Sequence, residues 1–249
     1  MSGPRQEARS TAPVVDLAVE AVVLDIEGTT SSTGFVVETL YPYSRARFGR
    51  WLDERADDPD VVRAVGQVRD LLGEPDAGRD RVVEALDEWL DRDEKVTPLK
   101  TLQGSIWAQG FADGDLTAHF YPDVVPVLRR WHDAGLRLHV FSSGSRTAQA
   151  TWFGNSPDGD LLPLFGARFD TENAGPKRAA GSYRVISAAI AADPARTVFL
   201  SDLVDELDAA REAGWLTVGV RRPGEPYAAR GVGDHPEVSS FEQVGLRPA

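Results

Sequence analysis

Cysteine is absent from all 249 positions of the chain. Its absence excludes a disulfide framework, a thiolate zinc site and a cysteine nucleophile together. It also fits a reducing cytoplasm, the expected location. No apolar run approaches the roughly 20 residues that cross a bilayer, so a soluble protein is expected. Met1 to Asp16 is polar, holds two prolines and contains no hydrophobic stretch. It does not read as a signal peptide, and residues 1–17 are expected to form a disordered N-terminal tail. Positive charge is scarce: Lys+Arg 27 against Asp+Glu 39 leaves a net charge of −12. Such a surface repels nucleic acid and anionic membrane, which argues against both as partners. It repels an anionic substrate as well, so a phosphate site here has to supply its own local positive charge. Internal repeats and low-complexity tracts are absent, and no long exposed hydrophobic stripe is evident, so a monomer is expected.

Apolar residues make up 42% of the chain, enough for a packed interior. The length lies near the upper limit for one core, which favours one α/β domain with a smaller insertion. Val19-Glu-Ala-Val-Val-Leu-Asp25 reads as a buried parallel strand running into a polar loop that begins at Gly28. From about Phe35 to Asp115 the pattern is helical, with helices over 36–54, 60–72, 81–90 and 99–111, and strands are missing from this block. From Tyr121 onward, helix and strand alternate. Strands are expected at 136–141, near 167–170, at 197–200 and at 216–220, with helices at 123–134, from 146, at 183–192 and at 204–213. Such alternation argues for a parallel sheet. The expected fold is therefore α/β, a doubly wound parallel-sheet (Rossmann-like) core with an all-helical cap domain inserted after the first strand. Residues 18–34 and 116–249 are assigned to the core and 35–115 to the helical insertion.

Ligands in open α/β sheets bind outside the carboxyl ends of the strands. Three strands here end in polar residues: Asp25-Ile-Glu27-Gly28-Thr29-Thr30, Ser142-Ser143-Gly144, and Ser201-Asp202 with Asp205 and Glu206 just beyond. Asp25 and Glu27 stand two apart, so on an extended chain both point the same way. Two carboxylates that close repel, and one has to be paired, protonated or metal-bound. Magnesium answers this need, because it takes one or two carboxylates, phosphate oxygens and several waters. Asp202 on a neighbouring strand completes the protein's share. Asp25 is then placed to attack phosphorus, and Glu27 to protonate a leaving oxygen and activate water. Gly28 lets backbone N–H groups approach a phosphate. Plainer uses stand beside these. A strand-terminal Asp also serves in turns, Ser142 and Ser143 also suit a turn or helix N-cap, and Asp202 also suits the cap of the helix near Val204. Asp205 and Glu206 in a first helical turn are favoured by the macrodipole, and at most support the site.

Asp25-x-Glu27-Gly-Thr, a Ser ending the next core strand, a downstream Lys and Ser201-Asp202 resemble the four motifs of the haloacid dehalogenase-like phosphatases. Glu at the second position, within Asp-Ile-Glu-Gly-Thr-Thr-Ser-Ser, is similar to one branch, the enolase-phosphatases or acireductone synthases of methionine salvage. Leu102-Gln-Gly-Ser-Ile-Trp107, Tyr121-Pro-Asp-Val-Val-Pro-Val-Leu, Ala148-Gln149 and Phe169-Asp-Thr agree with that branch, and the similarity runs from about Ala21 to Arg222. The resemblance implies Asp25 as nucleophile and magnesium ligand, and Glu27 as acid/base residue near the ion, directly or through water. Asp202 would be the third carboxylate on the metal side. Ser142 and Ser143 would bind substrate, with Ser142 on the phosphate, and Lys177 would neutralise the phosphoryl oxygens. On sequence alone Lys177 reads as a surface lysine before a helix, and Arg178 stands beside it as an alternative. The resemblance further implies enolisation of 2,3-diketo-5-methylthiopentyl-1-phosphate followed by phosphate hydrolysis. For the carbon-bound proton, Glu27 and a water on Ser142 remain as acceptors, since no histidine lies in the three strand-end motifs. The helical insertion is expected to act as a lid, with Trp107, Phe111 and Phe35 either lining the substrate or packing the insertion. A phosphatase for another small phosphate, a dehalogenase and a non-enzymatic phosphate-binding scaffold are the rival readings. Glu27 argues against the dehalogenase.

Overall fold

The structure is a computed structural model that describes residues 15–92, 94 and 96–249. Residues 1–14 of the expected tail lie outside the described residues. Within the rest, the strands are Val15–Val19 (β1), Ala21–Leu24 (β2), Arg137–Phe141 (β3), Phe165–Phe169 (β4), Thr197–Ser201 (β5), Leu216–Val220 (β6), Glu237–Val238 (β7) and Val244–Pro248 (β8). Residues 15–17 are thus not tail. They belong to β1, which pairs in parallel with β8 in a two-stranded sheet. The expected single strand over 19–25 is broken at Glu20. There the backbone bonds sideways, Glu20 N to Arg196 O (2.8 Å) and Arg137 N to Glu20 O (3.2 Å).

The main sheet has the order β4-β3-β2-β5-β6-β7, and every pairing in it is parallel. Its central strand, β2, is Ala-Val-Val-Leu with all four residues buried. An unbroken apolar run of this kind suits a strand covered on both faces. The chain moves outward from β2 to β3 and β4, then returns to the other side of β2 for β5, β6 and β7. The direction reverses between β2 and β5, and that switch point is where open α/β sheets bind ligands. On one face Tyr183, from the helix Ala180–Ile190, meets Phe141, Phe199 and Trp215 edge-on at ring-centroid distances of 5.5, 5.3 and 5.3 Å. Trp131, from the helix Val124–Asp133, stacks on Phe241 at 5.5 Å.

The chain separates into two compact units. One takes the chain up to Ser32, Phe120–Gln149 and Asp160–Ala249, and the other takes Thr33–His119 and Ala150–Gly159. The helical segment leaves the sheet after β2, the second strand in chain order. The expected boundary therefore shifts: residues 33–34, 116–119 and 150–159, assigned to the core from sequence, group with the helical unit. Aromatic packing explains the shift. Phe35 stacks on His119 at 5.6 Å, Phe35 and Phe111 both meet Trp152 edge-on at 5.5 and 6.1 Å, and Ala118 N donates to Asn155 O at 2.9 Å.

Within the helical unit the helices Phe48–Glu54, Pro59–Leu72, Arg79–Asp91 and Thr97–Ala112 bury one stripe each. Val61, Ala64 and Val68, then Val82, Leu86 and Trp89, recur at helical spacing and share a core with Leu99, Leu102 and Ile106. Asp58 starts the second of these helices by accepting from Asp60 N at 2.8 Å, and Gly73 ends it at φ +67°. The continuous helix expected over 36–54 is instead a helical turn at Thr33–Phe35, a π-helical Val36–Leu40, and helices at Tyr41–Arg45 and Phe48–Glu54. Pro42 has no N–H to give, and Tyr41 N reaches back five residues to Val36 O, which widens the turn. Trp107 stacks on Tyr41 at 6.5 Å and donates its Nε1 to Leu40 O at 2.9 Å. Trp107, Phe111 and Phe35 therefore each pack within this unit.

Gly219 in β6 allows a close crossing, since a Cβ there would lie 2.4 Å from Val232 Cγ2. Val232 is β-branched and buried, and has nowhere to turn. Gly219→Ala is expected to cost about 1–3 kcal/mol by overpacking. Urea unfolding should show a lower midpoint at unchanged slope, with part of the loss recovered when Val232→Ala is added.

Candidate active site

Asp25 follows β2 directly. Its N–H continues the ladder to Leu200 O at 3.0 Å, so the residue is fixed beside β5 and buried, 4% exposed. The chain then turns sharply. The N–H groups of Thr29, Thr30 and Ser31 all point to Ile26 O at 3.2, 2.9 and 2.9 Å, and Gly28 N reaches Ser31 O at 2.7 Å. Gly28 sits at φ +74°, and a Cβ there would fall 2.2 Å from Asp202 Oδ2. Both the backbone angle and the close carboxylate require glycine. From the turn, Thr29 Oγ1 donates to Asp25 Oδ2 at 3.2 Å.

Lys177 comes from the loop after β4, and its ammonium is buried between two carboxylates. Nζ lies 2.5 Å from Asp25 Oδ1 and 2.7 Å from Glu206 Oε2. Ser201 Oγ adds a hydrogen bond to Glu206 Oε2 at 2.9 Å, and Tyr183 OH donates to Lys177 O at 2.7 Å, which anchors the loop to the core. Burial works against the ammonium, but the charges of Asp25 and Glu206 outweigh it and hold the Lys177 pKa above its ordinary value. Asp202 is buried too. Loss of solvent, then repulsion from Asp25 and Glu206, pushes its pKa up to about 8, although Lys177 opposes the rise. Glu206 is raised for the same first reason, burial, with Lys177 opposing and Asp25 adding to the rise. Three buried carboxylates thus share one ammonium, and negative charge remains in excess. Hard oxygen donors with surplus negative charge suit magnesium, which needs only one or two protein carboxylates.

Of the three carboxylates expected on the metal side, two come together. Asp25 and Asp202 meet at the switch point, but Glu27 is exposed, on an isolated bridge to Ser31. Among the described residues no three acidic or histidine side chains converge as a metal-binding group. The alternatives left open by the sequence resolve in the structure. Asp202 does not cap the following helix; its N-cap is Leu203, whose N–H goes to Ser201 Oγ at 3.2 Å. Arg178 is exposed and pairs with exposed Asp205 at 3.6 Å, so Lys177 alone of the two basic residues enters the cluster. Ser142, at the end of β3, is buried, holds the ladder through its N–H to Phe169 O (3.1 Å) and accepts from Gly144 N at 3.3 Å, whereas Ser143 is exposed. Gln149 underpins that loop by donating to Gly144 O and Phe169 O, both at 2.8 Å.

Glu206 is the member of the charged cluster that sequence reasoning undervalues. A signal was present: Glu206, Leu207, Ala209 and Ala210 fall on the buried face of one helix, while Asp205 and Asp208 fall outside it. From sequence Thr29 is a loop residue, and no spacing rule marks its hydroxyl for Asp25.

A family model described as haloacid dehalogenase-like hydrolase matches residues 19–214. The enolase-phosphatase E1 of Streptomyces avermitilis is 66% identical over 228 residues, 92% of this chain and 95% of its own. That of Frankia alni is 52% identical over 100% of both chains. Among solved structures, the UTR4 protein of Saccharomyces cerevisiae is similar at TM-score 0.76 and 30% identity, over 90% of this chain and 99% of its own. CbbY of Rhodobacter sphaeroides, at TM-score 0.57 and 20% identity over 92% and 97%, shares the fold.

The crowded carboxylates set a direction of pH dependence. Asp202 holds a proton in the folded chain up to about pH 8, against an ordinary value of 3.8. Its contribution to stability is therefore fully present below pH 3.8 and is lost as pH rises through 8. Chelator-treated protein should show urea midpoints that fall across this window. Asp202→Asn should flatten that fall and be the more stable form at pH 8. A variant as pH-sensitive as the parent would show that Asp202 does not carry the repulsion.

Proposed function

This chain belongs to the haloacid dehalogenase-like hydrolase family, within its enolase-phosphatase branch. From that premise we propose that it converts 2,3-diketo-5-methylthiopentyl-1-phosphate to the acireductone 1,2-dihydroxy-3-keto-5-methylthiopentene and phosphate, in methionine salvage. The observation that carries the reading is buried Asp25 at the switch point, with the Lys177 ammonium 2.5 Å from its carboxylate.

One oxygen of Asp25 attacks phosphorus as the ester P–O bond breaks, and the leaving oxygen takes a proton from Glu27. Glu27 then accepts a proton from the water that attacks the aspartyl-phosphate. The P–O bond to Asp25 breaks, phosphate departs and the carboxylate is restored. Lys177 balances Asp25 at rest and the phosphoryl oxygens as charge shifts onto them, and Glu206 keeps the ammonium aimed. Ser142 and Ser143 hold the substrate, Ser142 at its phosphate. Before phosphoryl transfer, a proton leaves the carbon next to the ketone, to Glu27 or to a water on Ser142. Asp25 and Asp202, with Glu27 directly or through water, would hold magnesium, which supplies positive charge to the substrate oxygens and the phosphoryl group. The protein is proposed to act as a cytoplasmic monomer. Among the described residues no helix is long and apolar enough to cross a membrane.

Anaerobic turnover of the diketo phosphate with magnesium tests the reading, with enediol absorbance and free phosphate followed together. Both signals are expected, both are expected to vanish with chelator, and Asp25→Asn should lower phosphate release by roughly 10⁴-fold or more. Phosphate from generic esters with no turnover of the diketone would instead leave a phosphatase of another small metabolite.

Glu27→Gln separates the two half-reactions. It should stop phosphate release, and enol formation that survives in this variant would assign the carbon-bound proton to an acceptor other than Glu27.

A further inference from the structure

We infer that Arg222 is a positioning residue for the nucleophile, acting through Thr29; the inference rests on the reading of Asp25 above. Arg222 stands just past β6, two strands from Asp25, and is 3% exposed. Its Nε donates to Thr29 O at 3.1 Å. Its Nη1 donates to both oxygens of Asp123 at 2.8 Å and to Ser239 O at 3.3 Å. The guanidinium lies over the Tyr121 ring at 4.4 Å and against Phe241 at 5.1 Å. Asp123 is itself fixed, because its Oδ2 accepts from Ser240 Oγ at 3.0 Å and Phe241 N at 2.6 Å.

A charged side chain this deep is costly to desolvate and needs close pairing. What distinguishes this one is where its fork points. One arm is tied to Asp123 at the start of a core helix, and the other holds the backbone of the turn that carries Thr29. Thr30 O in the same turn is held by Tyr121 N at 3.1 Å. With both carbonyls fixed, the Thr29 hydroxyl is aimed at Asp25 Oδ2, the oxygen that Lys177 does not contact. Arg222 therefore sets the rotation of the Asp25 carboxylate from outside the reacting atoms. A planar guanidinium can do this with two donors at a fixed angle, and an ammonium cannot.

The test is a double-mutant cycle of Arg222→Lys and Thr29→Val, with kcat and KM measured on the diketo phosphate and on an aryl phosphate ester. Arg222→Lys should lower kcat by ~10- to ~100-fold on both, while KM moves by less than about threefold. In the Thr29→Val background, where the hydroxyl relay is gone, the same replacement should cost less than about threefold. A loss that multiplies in full in that background, a loss confined to KM, or an unchanged kcat would overturn the inference. Turnover of the ester alone by the parent protein would remove the substrate assignment and leave this cycle readable. If Arg222→Lys does not melt cooperatively, Asp123→Asn, which loosens the other arm of the fork, takes its place with the same outcomes.

Discussion

The Lys177 ammonium, buried between Asp25 and Glu206, is the constraint on which the rest of the structure depends. Three ionised groups removed from water cost several kcal/mol each unless their geometry is close and their remaining valences are filled. Each partner must therefore arrive from a rigid place. Asp25 comes from the end of the central strand, with its N–H still in the ladder. Glu206 comes from the first turn of the helix after β5 and is steadied by Ser201. Lys177 comes from a loop, the weakest support of the three, and its backbone carbonyl is accordingly tied to Tyr183 in the aromatic core. The hydrophobic packing of Tyr183 against Phe141, Phe199 and Trp215 in this sense also supports the charged cluster: it holds the loop that carries the ammonium.

Sheet order makes the meeting possible. Asp25 and Asp202 are 177 positions apart in sequence, yet β2 and β5 are hydrogen-bonded neighbours whose registers run together from Ala21–Thr197 to Leu24–Leu200. Both carboxylates then emerge at the same end of the sheet, Asp25 level with Ser201 and Asp202 one residue beyond, with the Gly28 backbone against Asp202. The crossover that places β5 beside β2 does for this site what a short loop does for a hairpin. It converts sequence distance into contact without asking for any local signal.

That distinction explains what the sequence revealed and what it hid. The parallel core was legible because apolar runs such as Ala21–Leu24 and Thr197–Ser201 alternate with amphipathic helices. The family resemblance was legible because strand-end motifs are local strings, and the comparisons bear it out. β1 and β8 were hidden because each buries little and finds its partner only at the opposite end of the chain. The broken first helix of the insertion turned on one missing N–H at Pro42. The membership of residues 150–159 turned on rings far apart in sequence, Phe35, Phe111 and Trp152. Glu206 was undervalued because an acid in a first helical turn has a sufficient explanation in the helix dipole, and only its burial argues for more. For Glu27 the spacing argument stops short: the tight turn at Gly28 ends the extended chain and leaves the side chain exposed, so its proposed role rests on the family resemblance.

The charge balance of the site carries its own argument about the chemistry. Asp25, Asp202 and Glu206 outnumber Lys177, and the surface around them belongs to a chain of net charge −12. A phosphate ester entering such a place brings further negative charge, and the single Lys177 ammonium does not offset all of it, while the N–H groups of residues 28–31 are taken up within the turn. Burial first, and then repulsion from Asp25 and Glu206, pushes Asp202 up to about 8. A site tuned only for stability would replace one of these acids with an amide and lose nothing in packing. Keeping all three is reasonable if a divalent cation is shared by Asp25 and Asp202 while Glu206 stays with Lys177, since the repulsion that burdens the resting protein then becomes affinity for the ion. The same excess leaves Lys177 with more negative charge than it can satisfy at rest, so the ammonium stays firmly protonated, as the proposed role at phosphoryl oxygens requires. Electrostatic discomfort in the resting protein and stabilisation of phosphoryl transfer are then one arrangement seen at two stages of the reaction.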